Sequence, residues 1–298
     1  MKGRSRTLEG VTTQKDGHLT VEGGQLYYGV YGQGDTPIVW MHGMPLNADS
    51  WYAQLLQFDA HFKNVVFDLR GYHRSSKLPP DVKSVTDLYV EDLRCLLNAL
   101  NLDRPTLVAH ASGAHGALRF AATHPEQLDK LVVINGSPRF VEGVDWEGFS
   151  EETCRDFIER IDSARDANEV AHILFEPALR EESDQISTIR DWYTSMIPLA
   201  GKETIKAFFS NVAYDADRAL MTKITARTLI IASQLGAEVP FKTSLFLRQH
   251  IRHSKLVEIN DIDHFAFGTK QGLINDLIEQ FVRPSCDISI PPNSDTSG

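Results

Sequence analysis

The chain has 298 residues, of which 42% are hydrophobic and 23% are charged, and its formal net charge is -10 at pH 7. This length and composition are those of a globular protein with one large domain and an insertion, and they exclude a low-complexity or repeat architecture. Because an acidic chain repels phosphate groups, nucleic acids and anionic membrane surfaces are not expected as partners.

The N-terminal segment, residues 1–17, is polar and carries four basic side chains without an apolar stretch of the signal-peptide kind. We expect this segment to be flexible. No later run approaches the length of a membrane span. The three cysteines (Cys95, Cys154 and Cys286) are scattered and lack metal-ligand spacing. These features predict a cytoplasmic protein in a reducing compartment.

Short apolar runs bounded by turn residues predict strands along most of the chain. They cover residues 25–31, 37–41, 64–67, 106–110, 131–135, 228–232 and 255–259. Helical patterns separate most of them, and the clearest are 85–100 and 113–123. This alternation predicts an α/β fold, with antiparallel first strands, a mostly parallel sheet covered by helices on both faces, and ligands at the carboxyl ends of the strands.

The alternation stops over residues 138–213, where only helical patterns occur, near 150–161, 167–174, 183–197 and 202–211. We therefore predict a core formed by residues 18–137 and 214–283, and an inserted helical cap at 138–213. Residues 284–298 have too little apolar content to pack against the core, which predicts a mobile tail.

The sequence around Ala111 has the pattern of a nucleophile elbow, a strained turn between a strand and a helix that presents a reacting side chain. Small residues, Ala109 and Gly113, flank it at the required spacing. Ser112 lies one position too late, because in that register His110 would stand where the turn needs a small residue. The pattern therefore predicts an elbow whose nucleophile position is Ala111, which has no hydroxyl, thiol or carboxylate.

Three further segments resemble motifs of the α/β-hydrolase superfamily in the same order and spacing. They are His-Gly-Met-Pro at 42–45, Asp-Leu-Arg-Gly-Tyr-His-Arg-Ser-Ser at 68–76, and Ile-Asp-His-Phe-Ala at 262–266. With the elbow, the resemblance covers residues 25–282 and implies the α/β-hydrolase fold, a sheet of the eight-stranded type with an inserted cap. The chain departs from the family at Ala111 and at His73, where glycine is usual.

This resemblance implies the roles of the residues around the elbow. His264 is the expected general base, and the backbone N–H groups of Met44 and Ser112 are the expected oxyanion donors. His42 is expected to brace its loop.

The acid partner of His264 is a second departure from the family. The usual aspartate aligns with Gly236, and the nearest carboxylate is Glu238. The alternative position, one strand after the elbow, is Asn135, whose amide can orient an imidazole but cannot stabilise its charge. The acid position is therefore either Glu238 or Asn135.

Aromatic residues of the predicted cap indicate an apolar substrate chamber. The candidate substrate-binding residues, with those of the motif loops, are His42, Gly43, His110, Phe140, Trp146, Trp192, Tyr193, Met196 and Phe265; further candidates are Phe149, Phe157, Phe208 and Phe209. Such a chamber favours a small to medium, largely apolar ester, lactone, amide or diketone, with Arg70 or Arg139 to receive any carboxylate. Because the chain has no phosphate loop, dinucleotide motif or metal-ligand set, we expect no cofactor and no metal.

Three functions stay open at this point. The first is a serine hydrolase whose nucleophile is replaced by Ala111, inactive as it stands, and the retained base and oxyanion elements favour it. The second is an enzyme in which His264 alone takes a proton from a heteroaromatic substrate, since 231–234 faintly resembles cofactor-free hydroxyquinolone dioxygenases of this fold. The third is a non-catalytic ligand-binding protein. In each case we expect a small-molecule ligand and a monomer or homodimer.

Overall fold

An eight-stranded sheet runs through the computed structural model, which describes residues 10–175, 184–233, 239–260 and 263–283. The strands are β1 (Thr13–Val21), β2 (Gly24–Tyr31), β3 (Thr36–Met41), β4 (Phe62–Phe67), β5 (Thr106–His110), β6 (Lys130–Ile134), β7 (Arg227–Ser233) and β8 (Ser254–Ile259). Their order across the sheet is β1-β2-β4-β3-β5-β6-β7-β8. The β1–β2 and β2–β4 pairs are antiparallel, and all later pairs are parallel. The predicted fold class is confirmed.

The first strand lies partly in the segment that the sequence predicts to be flexible. β1 begins at Thr13 and pairs along β2 with a bulge between Thr13 and Lys15. Most of its side chains are exposed, so no apolar pattern marks it, and backbone hydrogen bonds to β2 hold it in place. The prediction of flexibility is therefore corrected for residues 13–17. Residues 1–9 and the predicted tail 284–298 lie outside the described residues.

Helices cover the sheet. They are α1 (Tyr52–Phe58), α2 (Val85–Ala99), α3 (Ala111–Thr123), α4 (Glu151–Ser163), α5 (Ala167–Phe175), α6 (Asp184–Thr194), α7 (Ile197–Ala200), α8 (Lys202–Ser210), α9 (Phe241–His250), α10 (Ala266–Thr269) and α11 (Gln271–Val282). The helices α4 to α8 lie between β6 and β7, in the range that the sequence assigns to a cap. Within the described ranges, no helix combines the length and apolarity of a membrane span.

The central strands are buried on both faces. Every residue of β5 and β6 is buried, and such strands read as continuous apolar runs because helices cover both sides of a parallel sheet. Local signals fix the helix starts. Ser84 caps α2 by accepting a hydrogen bond from the N–H of Asp87, and Ser150 caps α4 through the N–H of Thr153. These caps define where each helix begins, and the apolar face of each helix packs against the core.

The carboxyl ends of the strands meet at one edge of the sheet. The loop at Gly43 follows β3, Ala111 follows β5, Asn135 follows β6, and the loop at His264 follows β8. Ligands of open α/β sheets bind at this edge. The strand order therefore brings together residues that are more than 200 positions apart in the chain.

Candidate active site

Ala111 forms the sharp turn between β5 and α3. Its φ is +49°, in the left-handed region, which costs an L-residue other than glycine about 1–2 kcal/mol. Gly113 makes the turn possible, because an added Cβ there would lie 2.2 Å from the carbonyl oxygen of His42. The strained geometry of an elbow is thus present, although Ala111 offers no reacting group.

His264 lies in the loop between β8 and α10 and is 6% exposed. Its carbonyl oxygen accepts a hydrogen bond from Nε2 of His110 at 2.9 Å and from Nδ2 of Asn135 at 3.0 Å. Since a carbonyl only accepts, Nε2 of His110 carries the proton. Burial, aided by the neighbouring His264, holds the pKa of His110 well below its usual range, so that ring is neutral. The ends of β5 and β6 therefore position the loop through its backbone.

Asn135, one of the two candidates for the acid position, binds backbone groups only. Its Oδ1 accepts from the N–H of Ser233 at 2.9 Å, and its Nδ2 donates to the carbonyls of His264 and, at 3.4 Å, Asp263. Its φ is +46°, which asparagine tolerates better than most residues. None of its hydrogen bonds with the described residues reaches the imidazole. Glu238 lies outside the described residues, and its role stays a prediction.

We expect Asn135→Ala to lower the free energy of unfolding by about 2 kcal/mol, because two buried backbone groups lose their partner and the left-handed φ is kept. Urea unfolding followed by circular dichroism measures the loss. Asn211→Ala is the control. Asn211 is also an asparagine outside the helices whose side chain accepts a hydrogen bond from a backbone N–H, that of Val85, but it does not contact the His264 loop. An unchanged unfolding midpoint for Asn135→Ala would show that the amide does not hold the His264 loop.

His42 holds the loop after β3 through hydrogen bonds to backbone groups. Its Nε2 accepts from the N–H of Leu69 at 3.0 Å, and its Nδ1 lies 3.1 Å from the carbonyl of Gly43. Burial lowers the pKa of His42 to about 4, so the ring is neutral and donates from Nδ1. It is completely buried and contacts backbone, not the cavity described below.

The segment 68–76 ties the loops of this edge together. Asp68 accepts two hydrogen bonds from the guanidinium of Arg74, at 2.7 and 3.1 Å, and one from the N–H of Ala48 at 2.8 Å. Burial would raise the pKa of Asp68, but the hydrogen bonds and charge of Arg74 lower it below its usual range. His73 has φ +39°, a conformation that glycine adopts freely, which accounts for the glycine that is usual at this position of the motif.

One of the two predicted oxyanion donors, the N–H of Met44, is already hydrogen-bonded. The N–H of Met44 donates to the hydroxyl oxygen of Ser112 at 2.8 Å. The N–H of Ser112 lies in the first turn of α3, where backbone donors have no partner within the helix. The sequence prediction names both N–H groups as oxyanion donors, and the hydrogen bond from Met44 to the Ser112 hydroxyl adds a contact that it does not contain.

An apolar cavity of about 50 Å³ lies over the elbow. Among the described residues, seven phenylalanines form most of its wall, and only Ser112 and His264 bring polar side chains to it. The lining residues are Met44, Pro45, Ala111, Ser112, Phe140, Phe149, Phe157, Leu174, Phe175, Phe208, Phe209, His264 and Phe265. A cavity of this volume holds roughly four water molecules, so a larger ligand fits only when side chains of the wall move.

The structure places only part of the predicted substrate-binding set in this wall. Phe140 and Phe265 line the cavity, as do the further candidates Phe149, Phe157, Phe208 and Phe209. The predicted residues outside the lining set are His42, Gly43, His110, Trp146, Trp192, Tyr193 and Met196.

Several of the predicted residues outside the lining set have other contacts. Trp146 packs edge-on against Phe246, and Tyr193 is buried against Phe265 and Phe267. Pro45, Leu174 and Phe175 line the cavity and were missed. The apolar run that ends α5, at 173–175, was a signal for the last two.

The two arginines proposed to receive a carboxylate are bound elsewhere. Arg70 is fully buried and forms an ion pair with Asp92, with Nη2 and Oδ1 2.6 Å apart. Arg139 donates from Nε to the carbonyl of Val141 at 2.7 Å and from Nη2 to that of Glu142 at 3.0 Å. Neither lines the cavity, so no described arginine is available there to bind an acid.

Comparisons with known proteins agree with this geometry. The family model described as alpha/beta hydrolase fold matches residues 36–271. A strigolactone esterase of Pisum sativum is 25% identical over 238 residues, which cover 78% of this chain and 87% of that protein. A putative carbamate hydrolase of Serratia proteamaculans is 26% identical over 258 residues, or 80% of this chain and 92% of that protein.

A solved esterase from Exiguobacterium antarcticum superimposes with a TM-score of 0.83 at 19% identity, covering 92% of this chain and 99% of that one. At this identity the likeness shows the fold. In the described part of the chain, no group of three or more His, Cys, Asp or Glu side chains is arranged to hold a metal ion.

Proposed function

This chain belongs to the α/β-hydrolase fold family, whose model covers residues 36–271, and from that premise we propose that it is a serine-hydrolase-type protein whose reacting position is occupied by Ala111. As it stands, it binds a small, largely apolar ester, lactone, amide or diketone and forms no acyl-enzyme. One observation carries the proposal: Ala111 keeps the left-handed elbow conformation, at φ +49°, in the wall of a cavity that it shares with His264.

The chemistry of acyl transfer explains why Ala111 stops the reaction. A general base takes the proton of the nucleophile as its oxygen attacks a carbonyl carbon, and the oxyanion that forms is held by N–H donors. His264, which lines the cavity, is the proposed base, and the N–H groups of Ser112 and Met44 are the proposed donors. Without an oxygen on residue 111, no covalent bond to the carbonyl carbon can form, so the substrate stays intact.

The apolar wall supports a neutral ligand. Of the residues that the structure describes, only Ser112 and His264 bring polar side chains to the cavity, and none of those lining it is a lysine or an arginine. Relatives named strigolactone esterase and carbamate hydrolase support a ligand with a carbonyl group. A neutral carbonyl compound satisfies both, because one acceptor oxygen matches the few donors and the rest of the ligand contacts phenylalanine rings.

We expect Ala111→Ser to give a protein that fluorophosphonates label and that hydrolyses 4-nitrophenyl butyrate and small lactones at least about a thousandfold faster than the parent chain, because loss of this nucleophile typically costs around a millionfold in kcat. Labelling and initial rates measure the gain. The matched control is Ala111→Gly, which relieves the left-handed backbone strain without adding an oxygen and is expected to stay unlabelled.

If the serine variant unfolds at the same urea concentration as the parent but neither labels nor hydrolyses any ester, the covalent mechanism is wrong for this chain. The second candidate is then proton abstraction by His264 from a heteroaromatic ligand, since His264 is the basic side chain among the described residues of the wall. Oxygen uptake by the unmodified chain with a 3-hydroxy-4-quinolone tests it.

A further inference from the structure

The hydroxyl of Ser112 accepts a hydrogen bond but does not donate one to any described residue. It accepts a hydrogen bond from the N–H of Met44 at 2.8 Å, and no acceptor for its own hydrogen is present among the described residues. The side chain is 6% exposed and lies in the cavity wall. A buried hydroxyl hydrogen without an acceptor is a costly feature, so the cavity is short of one acceptor atom.

The contact with Met44 also strengthens this donor. An oxygen that accepts one hydrogen bond becomes a better donor through its own hydrogen, because the two bonds polarise each other in a medium of low dielectric constant. The N–H of Ser112, in the first turn of α3, adds a second donor with the positive end of the helix dipole behind it. One residue thus brings two donors to a wall that is otherwise formed mainly by phenylalanine.

We propose that the Ser112 hydroxyl donates a hydrogen bond to the carbonyl oxygen of the ligand while it accepts one from the N–H of Met44. Ser112 then determines the specificity for carbonyl compounds. The inference rests on the ligand class proposed above and names the atom that recognises it. The group that binds the carbonyl oxygen is then the Ser112 hydroxyl, which is itself hydrogen-bonded to the N–H of Met44.

The alternative is that a ligand displaces the hydroxyl and takes the N–H of Met44 itself. Among the described residues of the wall, His264 has the only other polar side chain that a displaced hydroxyl could bind. The relay gives the hydrogen of the Ser112 hydroxyl an acceptor and keeps the bond from the N–H of Met44, whereas displacement breaks that bond. The two arrangements predict opposite effects when the hydroxyl is removed, because Ser112→Ala frees the N–H of Met44.

The experiment uses the unmodified chain, with Ala111, and two probes of similar shape: cyclopentanone labelled with ¹³C at its carbonyl, and cyclopentane. We expect Ser112→Ala to weaken cyclopentanone binding by about 3- to 10-fold, the worth of one neutral hydrogen bond, and to leave cyclopentane binding within about twofold. The infrared C=O stretch of bound cyclopentanone is expected to move to higher frequency. Ser112→Thr, which keeps a hydroxyl, is expected to restore both the affinity and the band.

Ser210→Ala serves as the control, since the exposed hydroxyl of Ser210 donates to the carbonyl of Lys206 away from the cavity wall. If Ser112→Ala does not fold, Ser112→Cys keeps a similar shape with a poorer donor and is expected to shift the band in the same direction. A ketone that does not bind the parent, an unmoved band, or tighter ketone binding by Ser112→Ala would each overturn the proposal.

The outcome is separate from that of the hydrolysis test. A serine variant at position 111 that hydrolyses esters, together with an unmoved carbonyl band, would leave the proposed function standing and remove the role of Ser112. If Ser112→Ala shifts the band as expected but Ala111→Ser is inactive, the role of Ser112 in binding carbonyl compounds stands and the proposed hydrolase chemistry does not.

Discussion

Gly113→Ala is expected to lower the free energy of unfolding by more than about 3 kcal/mol or to prevent folding. A Cβ at this position would lie 2.2 Å from the carbonyl oxygen of His42 and 3.0 Å from that of Met41. Both are backbone atoms at the end of β3, which is paired on both sides in the middle of the sheet. The strand cannot move away without breaking its ladders, so the new methyl group has no room. Urea unfolding followed by circular dichroism measures the change.

Gly272→Ala is the matched control for Gly113→Ala. Gly272 lies in α11, where an added Cβ would meet nothing within 4 Å, so alanine should stabilise the helix by a few tenths to about 1 kcal/mol. The two substitutions are chemically identical and differ in what surrounds them. Equal unfolding midpoints for Gly113→Ala and the parent chain would contradict the close packing of the elbow against β3.

The parts of the fold that sequence analysis predicts well are those whose pattern is set by burial. The predicted strand 106–110 coincides with β5, and the elbow follows it as expected, because a strand buried on both faces reads as a continuous apolar run. The motif loops at 42–45 and 262–266 were placed by their order along the chain. Strand order at the carboxyl edge then brings them together.

The parts that were missed depend on contacts that no local pattern records. β1 has mostly exposed side chains, so only its pairing with β2 defines it. In the helical region between β6 and β7, aromatic residues recur on several faces, and periodicity does not say which face meets the cavity. Tyr193 packs against Phe267 on the core side, whereas Phe208 and Phe209 of α8 line the cavity.

The role of Asn135 shows the same limit at the site. Counting residues from the elbow placed an amide at the acid position, and the structure places its side chain on the backbone of the His264 loop. The hydrogen bond between Met44 and Ser112 was also beyond sequence reasoning, since it joins two loops whose separation is set by β3 and β5. Sequence order identified these residues, and only the packed loops define their partners.

His264→Ala in the Ala111→Ser background is expected to lower kcat for 4-nitrophenyl butyrate by about 10⁴- to 10⁶-fold, because a serine hydroxyl without its base is a poor nucleophile and triad residues act as one unit. The loop should survive the change, since His110 and Asn135 bind the carbonyl of His264 and not its ring. Steady-state rates at pH 7.5, about one unit above the ordinary imidazole pKa, measure the loss.

His253→Ala in the same Ala111→Ser background is the control for removing an imidazole, because His253 is exposed on the turn before β8. Its kcat should stay within about twofold of the serine variant, as expected for a surface substitution away from the site. If His264→Ala retained more than about a tenth of the kcat, general-base catalysis by His264 would be excluded, since that step alone contributes at least about a hundredfold. His110 could not take over, because burial keeps the pKa of that ring well below its usual range and its Nε2 proton is bound to the His264 carbonyl. The base would then have to come from outside the described residues, and the hydrolase proposal would have to be rebuilt around it.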